Sequence, residues 1–283
     1  MEDKNLLLEN ENLKNENTLL NNQLFNLNQK LKDSDAFKGH FISNITNEII
    51  NPFTSILGIS KGIQSLDASK IGQIHSMSNL IYNEAFDLDF QLQNIFAAAK
   101  IESGEINLEL SSINPEETVT EIIESLRFKS EKKSQYIELG TENIINHNLI
   151  TDKEKFQIII KNLISNAIIF GNEKSKISVK LCQKDDNLKI RVQNEGTVMN
   201  MEQLKEIFNR FTKIDKTINS VNQGHGLGLS VTKAYLEFLE GDILAESSPE
   251  NGNVFTIILP QSKNDEDTLI RDEDLFIDDS EIF

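Results

Sequence analysis

A glycine-rich loop in the last third of the sequence has the composition of a phosphate-binding site. The loop reads Gly224-His-Gly-Leu-Gly-Leu229 and stands directly before a stretch with helical periodicity. Glycines let the backbone approach a phosphate closely, and the start of a helix offers unpaired N–H groups and a favourable dipole. We therefore expect Gly224, Gly226 and Gly228 to bind a nucleotide, although other tight loops also contain this glycine spacing.

Two asparagines add a second part of such a site. Asn162 and Asn166 belong to Lys161-Asn-Leu-Ile-Ser-Asn-Ala167, which has a helical pattern, and a separation of four residues places both carboxamides on one helix face. Amide oxygens are hard ligands suited to Mg²⁺, which keeps several waters and otherwise binds through phosphates. Asn166 is therefore the candidate metal ligand.

A third group of residues could contact the two ends of a nucleotide. Asn194-Glu-Gly196 follows a strand-like run, and a carboxamide at a strand end can hydrogen-bond the edge of an adenine base. Arg210 could bind terminal phosphates in bidentate fashion. Asn194, Gly196 and Arg210 are thus candidate nucleotide-binding residues.

The elements that must position these residues alternate between helical and strand-like patterns from residue 105 to residue 262. Turn-forming residues separate them, notably at 184–187 and 249–253. The pattern predicts an α/β sandwich in which helices cover one sheet. Helices are predicted at 115–133, 152–170, 200–209 and 227–240, and strands at 106–110, 176–182, 188–193, 242–247 and 254–260.

A helical hairpin is predicted at 36–104. Apolar residues recur at helical spacing over 36–66 and 71–102, with a turn at 67–70. Two such helices pack antiparallel, and two copies of the hairpin form a dimeric four-helix bundle. Pro52 predicts a bend in the first helix, because proline removes a backbone donor and clashes with the preceding turn.

Residues 1–35 carry a heptad repeat. Leucine fills one core position in four successive heptads, and asparagine fills the second core position in the early ones. Buried asparagine fixes register and oligomer state, so we expect a parallel coiled-coil dimer, with a single polar helix as the alternative. The leucines are Leu6, Leu13, Leu20 and Leu27, and the asparagines are Asn10 and Asn17.

The composition restricts the partners. The 45 acidic and 28 basic residues give a formal net charge of -17, which argues against nucleic acid or an anionic membrane as a partner. No apolar run reaches the ~18 residues of a membrane span and no secretory signal is visible, so a cytoplasmic location is expected.

Cys182 is expected to be a buried strand residue. The acidic tail 263–283 is expected to lack a fixed fold and either to solubilise the chain or to dock a partner.

Taken in order, these motifs resemble those of sensor histidine kinases. Residues 151–260 are similar to the ATP-binding domain of the GHKL superfamily, with an NLxxNA box, a degenerate glycine box, an IFxRF motif and a GxGLGL loop. Residues 38–104 are similar to the dimerisation and phosphotransfer hairpin, since FISNITNEIINPFTSILG follows the pattern FxxxxSHELRTPLxxIxG. The resemblance implies ATP and Mg²⁺ as cofactors, a dimer, and the receiver domain of a response regulator as partner.

This sequence has Asn47 at the position of the family's phosphoaccepting histidine. An amide nitrogen is delocalised into its carbonyl and is not a usable nucleophile, so we expect no autophosphorylation there. The resemblance makes Glu48 the acidic general base, and Glu48 with Asn51 fits the family's pattern for orienting water against a phosphoaspartate. Phosphatase activity toward a response regulator is therefore one candidate activity.

The residues that match the family's ATP site are partly replaced. Asn194 stands where the family has an adenine-reading aspartate, Val198 replaces a second glycine, and Ile169 replaces a phosphate-facing lysine. Losing one charge-assisted contact costs about 1.5–3 kcal/mol, so we expect weakened but retained nucleotide binding.

The expected function is that of a degenerate histidine kinase-like signalling protein that binds nucleotide and docks a response regulator or a partner kinase. The dimer could be homotypic or include another kinase. Two alternatives remain open. One is an interaction scaffold without nucleotide binding, and the other is an active kinase that uses His40, two helical turns before Asn47.

Overall fold

The computed structural model describes residues 13–15, 17–22, 24–25, 28, 49–142, 148–184, 187–209 and 226–261. Several predicted features lie outside these residues, namely Asn47, Glu48, His40, Arg210, Gly224 and the acidic tail 263–283. The described residues of the heptad segment are helical, and the coiled-coil dimer stays a prediction.

The chain divides into two compact units, Met1–Leu92 and Gln93–Phe283. The division falls inside a single helix, α2, which runs from Ile71 to Ser103. The last turns of α2 therefore belong to the same unit as the α/β domain.

The first unit contains the predicted helical hairpin. Helix α1 covers residues 49–64, including the residues on both sides of Pro52, and a 3₁₀ turn at Ala68–Lys70 leads into α2. A Cβ atom added to Gly62 would lie 2.7 Å from Met77 Cε, so the two helices pack closely there. The structure confirms two long helices joined by a short turn. The four-helix dimer stays a prediction.

The described residues of the second unit form a five-stranded sheet, a two-stranded sheet and four further helices. In chain order these elements are β1 (Leu110–Ile113), α3 (Pro115–Lys132), β2 (Tyr136–Glu142), β3 (Leu149–Asp152), α4 (Lys153–Phe170), β4 (Lys176–Lys184), β5 (Asn187–Asn194), α5 (Met201–Glu206), α6 (Gly228–Phe238), β6 (Asp242–Ser248) and β7 (Gly252–Pro260). The large sheet has the order β2-β4-β5-β7-β6, with only the β2–β4 pair parallel, and β1 pairs antiparallel with β3.

Helices α3, α4 and α6 pack against the large sheet and against each other. Alternate apolar residues of β4, β5 and β7 are buried beneath them, which confirms the predicted α/β sandwich. Cys182 lies on β4 as predicted but is half-buried. The buried strand residues include Ile177, Val179, Leu181, Ile190, Val192, Ile257 and Leu259. None of the described helices is both long and apolar enough to cross a bilayer.

Three sequence-based assignments need correction. The strand predicted at 106–110 is wrong, because β1 begins only at Leu110. Strands β2 and β3 were not predicted, because β3 has only four residues and Gly140 interrupts the alternation of β2. The helix predicted at 200–209 ends at Glu206.

The segment before β1 is held by side chains of α4 rather than by a strand partner. Asp152, the N-cap of α4, accepts a hydrogen bond of 3.0 Å from the Glu109 N–H and another of 3.0 Å from the Lys155 N–H. The Lys155 Nζ atom lies 2.5 Å from Asp152 Oδ2 and donates to the Asn107 carbonyl at 2.7 Å. Both charged side chains are nearly buried, with 12% and 3% exposed for Lys155 and Asp152.

These contacts change the acidity of Asp152. Burial alone would raise the pKa of this carboxyl, but the hydrogen bonds from Glu109 and Lys155 and the charge of Lys155 outweigh burial, so the pKa lies below its ordinary value of 3.8. A carboxylate with a lowered pKa stabilises the fold above the unfolded-state pKa, and that contribution is lost as the pH falls through the folded-state pKa.

We expect Asp152→Ala to destabilise the protein by about 3 kcal/mol, because it removes a helix cap and leaves the Lys155 ammonium without its carboxylate. Urea unfolding at neutral pH measures this. The difference from wild type should shrink as the pH falls below 3.8. Glu154→Gln removes one exposed charge from the same turn and should change stability by less than about 0.5 kcal/mol. Equal effects of the two substitutions would contradict the role given to Asp152.

Candidate nucleotide-binding site

Helix α4 forms one wall of the candidate site. Asn162, Asn166 and Phe170 recur every four residues and so lie along one side of this helix. At 1.5 Å per residue, Asn162 and Phe170 are separated by about 12 Å along the helix axis. This length is sufficient for an extended nucleotide.

The amide of Asn162 connects α4 to α6 and to the end of α2. Asn162 is 4% exposed, and its Nδ2 donates to Asn94 Oδ1 at 2.8 Å and to the Gly228 carbonyl at 3.1 Å. A Cβ atom on Gly228 would lie 2.9 Å from Asn162 Oδ1, so glycine permits this close approach. The structure brings the predicted site residues Asn162 and Gly228 into contact. It also adds Asn94, which the sequence did not indicate.

The N-terminus of α6 offers unpaired donors beside this contact. Leu227 is the N-cap residue, and in the described part of the chain no side chain caps the helix. The first N–H groups of α6 therefore lack intrahelical partners, and the helix dipole favours an anion there. Gly226 precedes it with a left-handed φ of 67°. The α6 N-terminus is therefore suited to phosphates.

Asn166 lies one turn further along α4 and is half-buried. Its side chain makes no hydrogen bond to another described residue. Within the described ranges, no cluster of three His, Cys, Asp or Glu residues could hold a metal ion. The free amide oxygen of Asn166 fits Mg²⁺, which can bind through one protein group together with phosphate oxygens and waters.

The end of β5 lies against the other end of α4. Gly196 forms a β-bridge with Gly171, and a Cβ atom on Gly196 would clash with the Phe170 carbonyl oxygen. Asn194 is 2% exposed, and its Nδ2 has no hydrogen-bond partner among the described residues. The predicted base-binding residue is therefore a buried polar group near the C-terminal end of α4.

A half-buried cation, which the sequence did not indicate, serves the end of α4. Lys133 Nζ donates to the carbonyl oxygens of Ile168 at 3.0 Å and Ile169 at 2.5 Å, so it satisfies carbonyls that the helix end leaves unpaired. Burial lowers the pKa of Lys133, partly opposed by the charge of Glu173. No local pattern could reveal this lysine, because its partners lie 35 and 36 residues away.

The segment around Val198 is fixed by hydrogen bonds on both sides. The Thr197 carbonyl accepts from Asn253 Nδ2 at 3.1 Å, and the Met199 N–H donates to Ser247 Oγ at 2.8 Å. Val198 itself is 42% exposed. These bonds, rather than the bulk of Val198, restrain this segment.

A cavity of about 480 Å³ lies beside the first turns of α4 and does not include Asn166 or Asn194. Burial, reinforced by the charges of Glu154 and Asp152, raises the pKa of Tyr235 in its wall to about 12. The Tyr235 hydroxyl is therefore protonated at neutral pH. The lining residues also include Phe96, Lys100, Glu154 and Ile158.

Residues 151–263 match the family described as histidine kinase-, DNA gyrase B-, and HSP90-like ATPase. The chain is 28% identical over 236 residues, 81% of its length, to the circadian input-output histidine kinase CikA of Synechocystis sp.. The chain is therefore similar to sensor histidine kinases along most of its length, and residues 151–263 match their ATPase family.

The chain spans 31% of CikA, and between about a fifth and a half of the other curated relatives it matches. Its fold is also that of solved kinases. Full-length ShkA in complex with AMPPNP superposes with a TM-score of 0.57 at 16% identity, covering 81% of this chain and 46% of ShkA. ThkA in complex with the response regulator protein TrrA superposes with a TM-score of 0.50 at 22% identity, covering 82% of this chain and 64% of that chain.

We expect Gly228→Ala to destabilise the domain by about 1–3 kcal/mol, because the new methyl group would press on the Asn162 amide. Helix propensity alone predicts the opposite sign, since alanine is favoured over glycine by about 1 kcal/mol. Thermal unfolding measures the difference. The matched control is Gly58→Ala in α1, where nothing lies within 4 Å of the added Cβ and a small gain is expected. A comparable gain in stability from both substitutions would show that the Gly228–Asn162 contact leaves room for a methyl group.

Proposed function

We propose that this chain binds ATP with Mg²⁺ and acts in two-component signalling without phosphorylating itself at Asn47. The observation that carries the proposal is the set of polar groups near one side of α4 that have no partner among the described residues. Unpaired N–H groups of α6 lie at one end, the free amide of Asn166 lies between, and the unpartnered amide of Asn194 lies at the other end.

Different residues would bind the phosphates, the metal ion and the base of the nucleotide. The loop ending in Gly226 and Gly228 would bind the phosphates, with Gly224 and Arg210 as further contacts from outside the described residues. Asn166 would hold Mg²⁺, which neutralises phosphate charge when bound. Asn194 and Gly196 would accommodate the base. The AMPPNP bound to ShkA supports nucleotide binding in this fold.

The proposed partner is the receiver domain of a response regulator. Asn51 is exposed on α1, and the apolar side chains of Ile50 and Phe53 beside it are 53% and 54% exposed. The complex of ThkA with TrrA supports such docking. Glu48 and Asn51 would orient a water molecule against a phosphoaspartate, which makes phosphatase activity the candidate chemistry. The exposed apolar side chains of α1 also support a dimer, either homotypic or with another kinase.

We expect calorimetry to show saturable binding of ATP in the presence of Mg²⁺. Asn166→Ala should weaken it at least tenfold, since about 1.4 kcal/mol corresponds to a factor of ten. Asn251→Ala, at an exposed position in the β6–β7 turn, should leave the affinity unchanged. The absence of a binding signal at millimolar ATP would refute nucleotide binding and favour the interaction scaffold.

We expect no acid-labile, base-stable phosphate on the wild-type chain after incubation with labelled ATP and Mg²⁺, because Asn47 offers no nucleophile. Asn47→His restores an imidazole at that position and is the gain-of-function variant. Stable labelling of the wild-type chain would contradict the proposal. If His40→Gln then abolished the labelling, His40 would be the phosphoacceptor.

A further inference from the structure

Two asparagines stand side by side at the end of β5 and the start of β7, and they differ in one respect. Asn194 and Asn253 are paired in register, and both are at most 3% exposed. The Asn253 amide is satisfied, since its Nδ2 donates to the Thr197 carbonyl at 3.1 Å and its Oδ1 accepts from Ser247 Oγ at 2.6 Å. The Asn194 Nδ2 is equally covered by protein and has no partner among the described residues.

A buried donor without an acceptor costs free energy, and a ligand that supplied an acceptor would remove that cost. The position of Asn194 limits which part of a nucleotide could do so. Phosphates favour the α6 N-terminus beside Asn162, whereas Asn194 lies near Gly196 and Phe170, and Phe170 is about 12 Å from Asn162 along the axis of α4. A nucleotide whose phosphates lie at the α6 N-terminus would therefore present its base to Asn194.

An amide can pair with either kind of purine edge. Adenine offers an acceptor at N1 and a donor at its 6-amino group, whereas guanine and hypoxanthine offer an acceptor at their 6-oxo group and a donor at N1. Asparagine has one donor group and one acceptor group, and a half-turn about its last torsion exchanges them. A carboxylate would only accept, so a carboxylate oxygen that faces the 6-position would accept from the 6-amino group of adenine and repel the 6-oxo group of guanine or hypoxanthine.

We propose that Asn194 makes this site tolerant of 6-oxopurine nucleotides, so that it binds guanine and hypoxanthine nucleotides as well as adenine nucleotides. This inference rests on the nucleotide binding given under Proposed function and names the base selectivity of that site. The orphan Nδ2 donates to adenine N1 in one orientation of the amide and to the 6-oxo oxygen in the other.

The test is calorimetric titration of the full chain with ADP, IDP and GDP in the presence of Mg²⁺. IDP differs from ADP only at the edge that Asn194 is proposed to contact, whereas GDP adds a 2-amino group. We expect the Kd values for ADP and IDP to agree within about tenfold. Asn194→Asp should move the ratio at least tenfold in favour of ADP. A wild-type preference for ADP above about a hundredfold, or an unchanged ratio in a folded Asn194→Asp variant, would overturn the proposal.

Asn251→Asp is the matched control, because it makes the same chemical change at an exposed position, and it should leave the ratio unchanged. Circular dichroism establishes whether Asn194→Asp folds. If it does not, the wild-type ratio of ADP to IDP affinity decides alone. Failure to bind any of the three nucleotides would refute the proposed function as well, whereas binding of ADP alone would refute only the tolerance of 6-oxopurines.

Discussion

The hydrogen bonds of the Asn162 amide determine how α2, α4 and α6 are joined. One buried nitrogen donates to Asn94 on α2 and to Gly228 at the start of α6. An amide left unpaired in such a place would cost about 1–3 kcal/mol, so α2, α4 and α6 cannot shift independently at this point. The open N-terminus of α6 is thereby held at a fixed place beside α4, where a phosphate can reach both.

The polar groups of the second unit, Gln93–Phe283, fall into two classes. Asp152, Lys133 and Asn253 hydrogen-bond to other residues of the protein. Asp152 caps the start of α4 and holds the segment before β1, Lys133 binds the carbonyls at the end of α4, and Asn253 holds the segment around Val198. Asn166 and Asn194 lie within the same packed unit and keep atoms without partners among the described residues. A folded chain normally satisfies its buried polar groups, so the proposal assigns the partners of Asn166 and Asn194 to a bound nucleotide.

The local sequence pattern was sufficient to predict the long helices and to predict which asparagines share a side of α4. Helical periodicity found α2 and α4, and the four-residue spacing correctly suggested that Asn162 and Asn166 share a side of α4. It could not find Asn94, whose partner is 68 residues away, because such a contact depends on how helices pack. The misplaced first strand has a similar cause, since Asp152 and Lys155 hold residues 107–109 from 43 to 48 positions away.

The continuity of α2 has a consequence for engineering. This helix has 33 residues, and its last turns bury Ile95, Ala97 and Ala98 at 5% exposure or less. A fragment that begins at residue 105 would lose Asn94 and would uncover the apolar surface that those three residues bury, so a stable fragment of the α/β unit should begin no later than Gln93. In a chimera that joins an input domain to α2, each residue inserted or deleted would rotate the joined domain by about 100° relative to Asn94. The fusion point therefore sets the helical phase between the joined domain and the Asn94–Asn162 contact.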